Sequence, residues 1–233
     1  MRSPGWLVAA VAVAVVVAFQ VTTAAGREDR FVAGADVPVV APGVDVLAGI
    51  PSIPARVHER DYRRIAFGEA WTDDTTAPGG HNGCDTRNDI LDRDLVDKTF
   101  TVISRCPMAV ATGTLYDPYT NDTVAFTRGN QVGASVQIDH IVPLALAWDL
   151  GARNWTDDMR RRFANDPANL LAVQGKANQD KGDKEPALWM PPNHAFWCQY
   201  AVQFASVLRG YALPVDDRSA MVLRDATSTC PAA

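Results

Sequence analysis

Apolar and polar residues follow one another along the chain in patterns that predict both helices and short strands. The apolar residues between Ile90 and Val96 have the i, i+1, i+5, i+6 spacing of one helical face, and Asp85 or Thr86 can cap that helix. β-Branched residues over 99–103 predict a strand. Further strands are predicted at 113–119, 123–127, 136–140 and 170–173, and further helices at 144–150, 156–163, 177–184, 193–207 and 216–224. The predicted fold class is α+β, with a small antiparallel sheet and a helical C-terminal half.

The first 25 residues have the three parts of an export signal. Arg2 supplies the positive charge, an apolar run extends from Trp6 to Phe19, and the small residues at 23–25 offer a cleavage site. The run is shorter than the roughly 20 apolar residues that a transmembrane helix needs. We therefore expect a cleaved signal peptide and a secreted or cell-envelope protein without a stable membrane span. A retained anchor is the alternative.

Residues 26–57 are rich in proline, glycine and alanine and lack helical periodicity, which predicts a flexible linker. The remaining residues, 58–233, show no internal repeat, so we expect them to form one domain. The chain carries 27 acidic and 22 basic residues, and this net charge of −5 argues against a protein that coats nucleic acid by bulk electrostatics. A local basic patch remains compatible with a nucleic-acid substrate.

Four cysteines are widely spaced and include no Cys-x-x-Cys pair, so they do not indicate a zinc site. In an exported protein they are expected to form disulfides, with four buried free thiols as the alternative. Three pairings are possible. Local loop closure favours Cys84–Cys106 and Cys198–Cys230, each contributing about 3 kcal/mol of stability by the loop-entropy estimate.

The candidate chemistry is concentrated between residues 136 and 184. Asp139 and His140 end an apolar β-like run, Asn169 precedes the apolar stretch Leu170–Val173, and Asn178 begins a lysine-containing segment. The segment is predicted to form a strand, an insertion, a second strand and a helix. A carboxylate, an imidazole and amides along it are the side-chain groups that a metal-dependent phosphodiesterase uses. The acid–histidine dipeptide alone is a weak signal, because such pairs are common in exposed turns.

Five blocks of sequence, taken in order, resemble the HNH, or ββα-metal, endonuclease superfamily, and in particular a branch of secreted HNH-family proteins. The blocks are Gly83–Asp89, Leu115–Tyr119, Asp139-His140, Asn169–Val173 and Asn178–Asp183. The resemblance covers about residues 59–231. It implies a single domain built around a ββα-metal motif, which hydrolyses phosphodiester bonds. One departure is that Asn178 stands where many HNH enzymes carry a second histidine.

The resemblance also implies roles for individual residues. His140 is expected to be the general base that activates water, and Asp139 and Asn178 to be oxygen ligands of a divalent ion. Oxygen ligands favour Mg²⁺ or Mn²⁺, with Zn²⁺ as the alternative. Asn169 is expected to tie the loop that carries the histidine. Lys181 lies one helical turn after Asn178 and is a candidate phosphate ligand.

Two further basic residues are candidate substrate ligands. Arg87 could bind phosphate or pair with Asp85 or Asp89, and Lys184 could bind phosphate or be a solvated helix charge. The expected substrate is DNA, with RNA as the alternative, and the expected protein is a monomer. The competing hypothesis is a catalytically degenerate HNH-fold envelope protein that binds nucleic acid or a cell-wall polymer, which the acidic net charge and Asn178 favour.

Overall fold

The computed structural model describes residues 40–231 except 42, 105 and 130–134, and the predicted signal peptide lies outside this part of the chain. The helices are α1 (Thr86–Asp94), α2 (Leu144–Asp149), α3 (Asp157–Ala164), α4 (Gly175–Lys181), α5 (Trp197–Gly210) and α6 (Asp217–Thr227). The strands are β1 (Ser52–Ile53), β2 (Val96–Ile103), β3 (Cys106–Tyr116), β4 (Thr123–Thr127), β5 (Val136–His140), β6 (Leu170–Gln174) and β7 (Val215–Asp216). None of the helices in the described residues is long and apolar enough to cross a membrane.

The strands of the described residues form three small sheets. β2, β3 and β4 are antiparallel neighbours, β5 and β6 form an antiparallel pair, and β1 and β7 form a two-residue parallel pair. The predicted α+β class, with helices and small antiparallel sheets, is confirmed. The short parallel pair has no signal in the local pattern, because two-residue strands show no periodicity.

Side-chain oxygens cap the starts of three helices, at or next to the predicted starts. The Asp85 carboxylate accepts a hydrogen bond from the backbone N–H of Asn88 (2.8 Å) at the start of α1. Thr156 and Asp216 cap α3 and α6 with their own side-chain oxygens. Each cap satisfies an N–H group that the first helical turn leaves without a partner.

Two apolar clusters hold these elements together. The larger one lies among α2, α3, α5 and α6, and its aromatic residues include Tyr119, Phe163, Tyr200 and Phe204. The smaller one joins α1 to β3 and to the β5–β6 pair. The β5–β6 pair has residues in both clusters, which fixes its position within the domain.

Both predicted disulfides are present. Cys84 is bonded to Cys106, and Cys198 is bonded to Cys230. The first joins the segment before α1 to the start of β3, and the second joins α5 to the segment after α6. The described residues contain no free cysteine.

The segment predicted as a flexible linker, 26–57, is packed against the domain in its described C-terminal part. Leu47 is 2% exposed and belongs to the larger apolar cluster. Ser52–Ile53 pairs with Val215–Asp216, and the Arg56 guanidinium lies 2.7 Å from the Asp149 carboxylate. The packed region therefore begins before residue 58. Proline and glycine indicate a lack of periodicity, but single apolar side chains of such a segment can still be buried.

Candidate active site

The candidate site is built on two antiparallel strands followed directly by a helix. His140, the last residue of β5, lies opposite Leu170, the first residue of β6. α4 follows β6 without a connecting loop and carries Asn178 and Lys181. The chain therefore has the ββα order that the sequence predicts, with Asp139 and His140 at the end of the first strand.

α4 is shorter and begins earlier than predicted. It extends over Gly175–Lys181 instead of 177–184, and it ends at Lys181 because Gly182 has a φ of 57°. This left-handed conformation ends a helix and is readily adopted by glycine. Asn178 thus lies in the last turn of α4.

Asn169 fixes the loop that follows His140. Its side-chain oxygen accepts from the Val142 N–H (2.8 Å), and its amide nitrogen donates to the Val142 carbonyl (3.3 Å). Its own backbone carbonyl accepts from the Ile141 N–H (2.8 Å). The side chain is fully buried, so these backbone groups depend on Asn169 for their hydrogen bonds. The contacts are those predicted for a residue that ties the histidine loop.

Asp139 is buried in a cluster with a tyrosine and a lysine. Its Oδ2 accepts from the Tyr119 hydroxyl (2.5 Å) and from the Lys181 ammonium (2.6 Å). Burial raises the pKa of Asp139, and the charge and hydrogen bond of Lys181 oppose that rise. Burial raises the pKa of Tyr119 well above its usual value, so the phenol stays protonated and donates to the carboxylate.

The structure does not place Lys181 where it could contact a phosphate. The side chain is 0% exposed, and the ammonium donates to Asp139 Oδ2 and to the His140 carbonyl (2.6 Å). Burial lowers its pKa, and the Asp139 charge opposes this change. Lys181 therefore orients the Asp139–His140 dipeptide from behind. The sequence correctly places Lys181 on the same helix as Asn178, one turn later. It does not show that the side chain points into the domain.

His140 has a defined tautomer. Its Nε2 lies 2.9 Å from the Ala164 carbonyl oxygen, and a carbonyl only accepts hydrogen bonds. Nε2 therefore carries the proton of the neutral ring, and Nδ1 is the basic nitrogen.

Burial lowers the pKa of His140 to about 3. The bond to Ala164 opposes this shift, whereas the positive charges of Arg64 and Lys181 add to it. The ring is consequently neutral near pH 7, which is the form that can accept a proton. A phosphate anion bound nearby would favour the charged imidazolium and so raise this pKa toward the range of an effective base.

Trp71 holds the other side of the imidazole. The two rings are stacked, with centroids 5.4 Å apart and planes 12° from parallel. The Trp71 backbone has a φ of 61°, a left-handed conformation that is unusual for a bulky residue. Strain of this kind persists where surrounding contacts over-determine the conformation, and it is found preferentially at functional sites.

Asp139, His140 and Asn178 all line one cleft of about 600 Å³. The structure therefore brings together the predicted base and both predicted metal ligands. Arg64 and Arg87 also line this cleft, and they place positive charge beside it although the whole chain is acidic.

The oxygen donors of Asp139 and Asn178 suit a hard cation such as Mg²⁺ or Mn²⁺ better than Zn²⁺. The Asn178 amide nitrogen donates to Gln137 (2.9 Å), which orients the amide. In the part of the chain that the structure describes, no three His, Cys, Asp or Glu side chains are grouped to hold a metal ion. A cation held by Asp139 and Asn178 would need phosphate and water to complete its ligands, and the Lys181 ammonium offsets part of the Asp139 charge.

The two other predicted substrate ligands differ in position. Arg87 lines the cleft, donates to the Val136 carbonyl (3.2 Å) and has its pKa lowered mainly by burial. Lys184 is exposed, is not among the residues that line the cleft, and donates to the Asp180 carbonyl. The structure thus brings Arg87 into the site but leaves Lys184 outside it.

Sequence reasoning missed three residues of the site, namely Arg64, Trp71 and Tyr119. Arg64 and Trp71 belong to a segment that the sequence marks only as the start of the domain. Tyr119 lies in a block that carries the family resemblance, so its buried contact with Asp139 is consistent with that signal. The fold brings all three to Asp139 and His140 from at least 20 residues away in sequence.

The ββα order and the cleft are those expected of a nuclease-type domain, and comparisons with known proteins identify the family. The model of the GmrSD restriction endonucleases, C-terminal domain, matches residues 85–209, and the chain belongs to this family. The chain is also 37% identical over 149 residues to an "Uncharacterized secreted protein" of Arthroderma benhamiae. The aligned residues make up 63% of this chain and 68% of the relative. No solved structure matches the chain. The match includes β5, β6 and α4, so Asp139, His140 and Asn178 lie inside the nuclease-family domain, whereas Arg64 and Trp71 precede the matched residues.

Proposed function

We propose that this protein is a secreted, metal-dependent endonuclease that hydrolyses phosphodiester bonds of DNA, with RNA as an alternative substrate. The observation that supports it best is the convergence of Asp139, His140 and Asn178 on one cleft of a nuclease-family domain. The relative from Arthroderma benhamiae is called a secreted protein, and the two disulfides suit an oxidising compartment.

His140 would act as the general base. Its Nε2 proton is held by the Ala164 carbonyl, so Nδ1 is the atom that takes a proton from the attacking water. As the water oxygen bonds to phosphorus, the 3′ oxygen leaves with the electron pair of the broken bond. Trp71 and Asn169 would keep the imidazole in place by stacking and by fixing the loop after it. Positioned proton transfer of this kind contributes about 10²–10⁴-fold.

Asp139 and Asn178 would hold the divalent cation, with Mg²⁺ or Mn²⁺ favoured and Zn²⁺ as the alternative. When bound, such an ion would offset charge on the phosphate and on the leaving oxygen. Arg64 and Arg87 would bind substrate phosphates at the cleft. Tyr119 and Lys181 would act behind the site, by holding the Asp139 carboxylate in one orientation.

Nicking of supercoiled plasmid by the purified, disulfide-intact protein tests this proposal. We expect nicking with Mg²⁺ or Mn²⁺, none with EDTA, and at least a hundredfold loss for His140→Ala, because the base is removed. His194→Ala is the matched control, since that histidine is exposed and outside the cleft. Circular dichroism would establish that both variants are folded. Wild-type activity in folded His140→Ala would contradict the assigned role.

The ion pair between Lys181 and Asp139 favours a second candidate function. A carboxylate that already has a cationic partner is a weaker metal ligand, as expected in a catalytically degenerate domain that binds nucleic acid or a cell-wall polymer. Binding of DNA without cleavage in Mg²⁺, Mn²⁺, Ca²⁺ and Zn²⁺ would support this candidate over the endonuclease.

A further inference from the structure

A second, smaller cavity lies beside His140. It has a volume of about 190 Å³ and shares four residues with the active-site cleft: Arg64, Trp71, His140 and Leu144. Its remaining lining includes Ile65 and Phe67 and is mainly apolar. The imidazole therefore forms part of the wall between a polar cleft and an apolar cavity.

The segment that forms this cavity is fixed in place. Phe67 is buried, with its ring 6.2 Å from Trp148 and 6.1 Å from Phe163. The Arg160 guanidinium donates to the Ala66 carbonyl (2.8 Å) from helix α3. Neighbouring Ile65 is nevertheless 74% exposed. Tyr62, on the other side of Ile65, packs its ring 6.1 Å from Trp148, so the backbone is anchored both before and after the exposed Ile65 side chain.

The cleft is polar and the cavity next to it is apolar, just as a charged phosphate lies next to an apolar base face in a nucleic-acid strand. The cleft offers arginine side chains and the proposed catalytic groups, which suit a phosphate, and the cavity beside it offers apolar and aromatic surface, which suits a nucleobase. Arg64 lines both. A base within a duplex is paired and stacked, so it could enter the cavity only after being turned out of the helix, at a cost of a few kcal/mol.

We propose that the apolar cavity is a subsite for one unpaired nucleobase next to the scissile phosphate, and that the substrate is single-stranded nucleic acid. This inference rests on the proposed nuclease function, because that proposal assigns the neighbouring cleft as the place where the phosphodiester bond is cut. Ile65 and Trp71 are its specificity-determining residues, and they act through contact with the base.

Cleavage and binding of end-labelled DNA oligonucleotides test the inference. We expect single strands to be cut at least tenfold faster than the matching duplex, and an abasic residue to slow cleavage at one adjacent phosphate by about tenfold. Ile65→Ser should cause a similar loss on the intact strand but little further loss on the abasic strand. Met221→Ser is the matched control, because Met221 is 63% exposed on α6 and lines neither cavity.

Fluorescence anisotropy in EDTA separates this inference from the proposed activity. A wild-type preference for the single strand that Ile65→Ser reduces, and Met221→Ser does not, would support the subsite even if no plasmid were cut. Equal affinity for single strand, duplex and abasic strand would overturn the subsite, whether or not the protein is a nuclease.

Discussion

Two neighbouring buried tyrosines differ in the hydrogen bonding of their hydroxyl groups. The rings of Tyr119 and Tyr200 lie 6.0 Å apart, and burial raises the pKa of both phenols well above the usual value. The Tyr119 hydroxyl donates to Asp139, whereas the Tyr200 hydroxyl has no hydrogen-bond partner among the described residues. The Tyr119 hydroxyl therefore stabilises the folded protein, whereas the Tyr200 hydroxyl does not.

Replacing each tyrosine with phenylalanine should have opposite consequences. Tyr119→Phe removes a bond to a charged acceptor and should lower the free energy of unfolding by about 1.5–3 kcal/mol. Tyr200→Phe removes a buried hydroxyl without a partner, so stability should be unchanged or higher by about 1 kcal/mol. Urea denaturation of the two variants measures both values. Equal destabilisation would contradict the assigned difference.

The lowered pKa of His140 predicts a loss of stability in acid. Below pH 6.5 the unfolded chain binds a proton at this residue, whereas the folded protein does so only near pH 3. The stability that the folded protein has with a neutral His140 is therefore fully present above pH 6.5, and it is lost as pH falls from 6.5 toward 3. His140→Gln should lose less stability between pH 7 and pH 4.5 than wild type, measured by thermal unfolding. His194→Gln, at an exposed position, should follow wild type.

At the residue scale, the sequence identifies the residues whose chemistry is local and misses those placed by distant contacts. Asp139, His140 and Asn178 line the cleft, as the adjacent dipeptide and the Asn-containing helix indicate. Trp71 reaches His140 through a left-handed backbone conformation, which no propensity favours for tryptophan. Lys181 has the predicted helix position, but the partner that draws it inward, Asp139, lies 42 residues away.

At the scale of elements, starts are more predictable than ends. Asp85, Thr156 and Asp216 cap helices because a side-chain oxygen next to free N–H groups is a local arrangement. The helical spacing before Val96 suggests a longer α1, yet Val96 pairs with Thr114 and begins β2. Strand pairing depends on the partner strand, so the pattern of one segment cannot show it.

The connection between β5 and β6 gives a prediction at this scale. Asn169→Ala removes the acceptor of the buried Val142 N–H, so the free energy of unfolding should fall by about 1–3 kcal/mol. Cleavage should fall as well, because the loop after His140 loses its fixed position. Asn154→Ala, at an exposed residue, is the control for both measurements. Full stability in Asn169→Ala would show that another group satisfies Val142.

At the scale of the whole molecule, the sequence predicts the fold class and both disulfides but not where the packed region begins. Short loops between cysteines are visible in the sequence, and Cys84–Cys106 and Cys198–Cys230 are the pairs they favour. The burial of Leu47 and the β1–β7 pair depend on surfaces that exist only in the folded domain. Composition alone therefore places the boundary of the linker too late.

The disulfide Cys198–Cys230, which joins α5 to the segment after α6, should contribute to overall stability. Its cysteines are 32 residues apart, and closing a loop of that length stabilises a fold by about 4 kcal/mol in the chain-entropy model. The paired change Cys198→Ala with Cys230→Ala should lower the free energy of unfolding by this order. Urea denaturation under oxidising conditions measures it. A loss below about 0.5 kcal/mol would contradict the expected contribution.

The wide sequence separation of the cleft residues has a consequence for the timing of activity during synthesis. The lining extends from Tyr62 to Asp183, and β5 needs β6 as its partner. A nascent chain on the ribosome therefore lacks the complete cleft until synthesis has passed Asp183. Under the proposed function, unfinished chains would therefore carry no working site inside the cell that makes them.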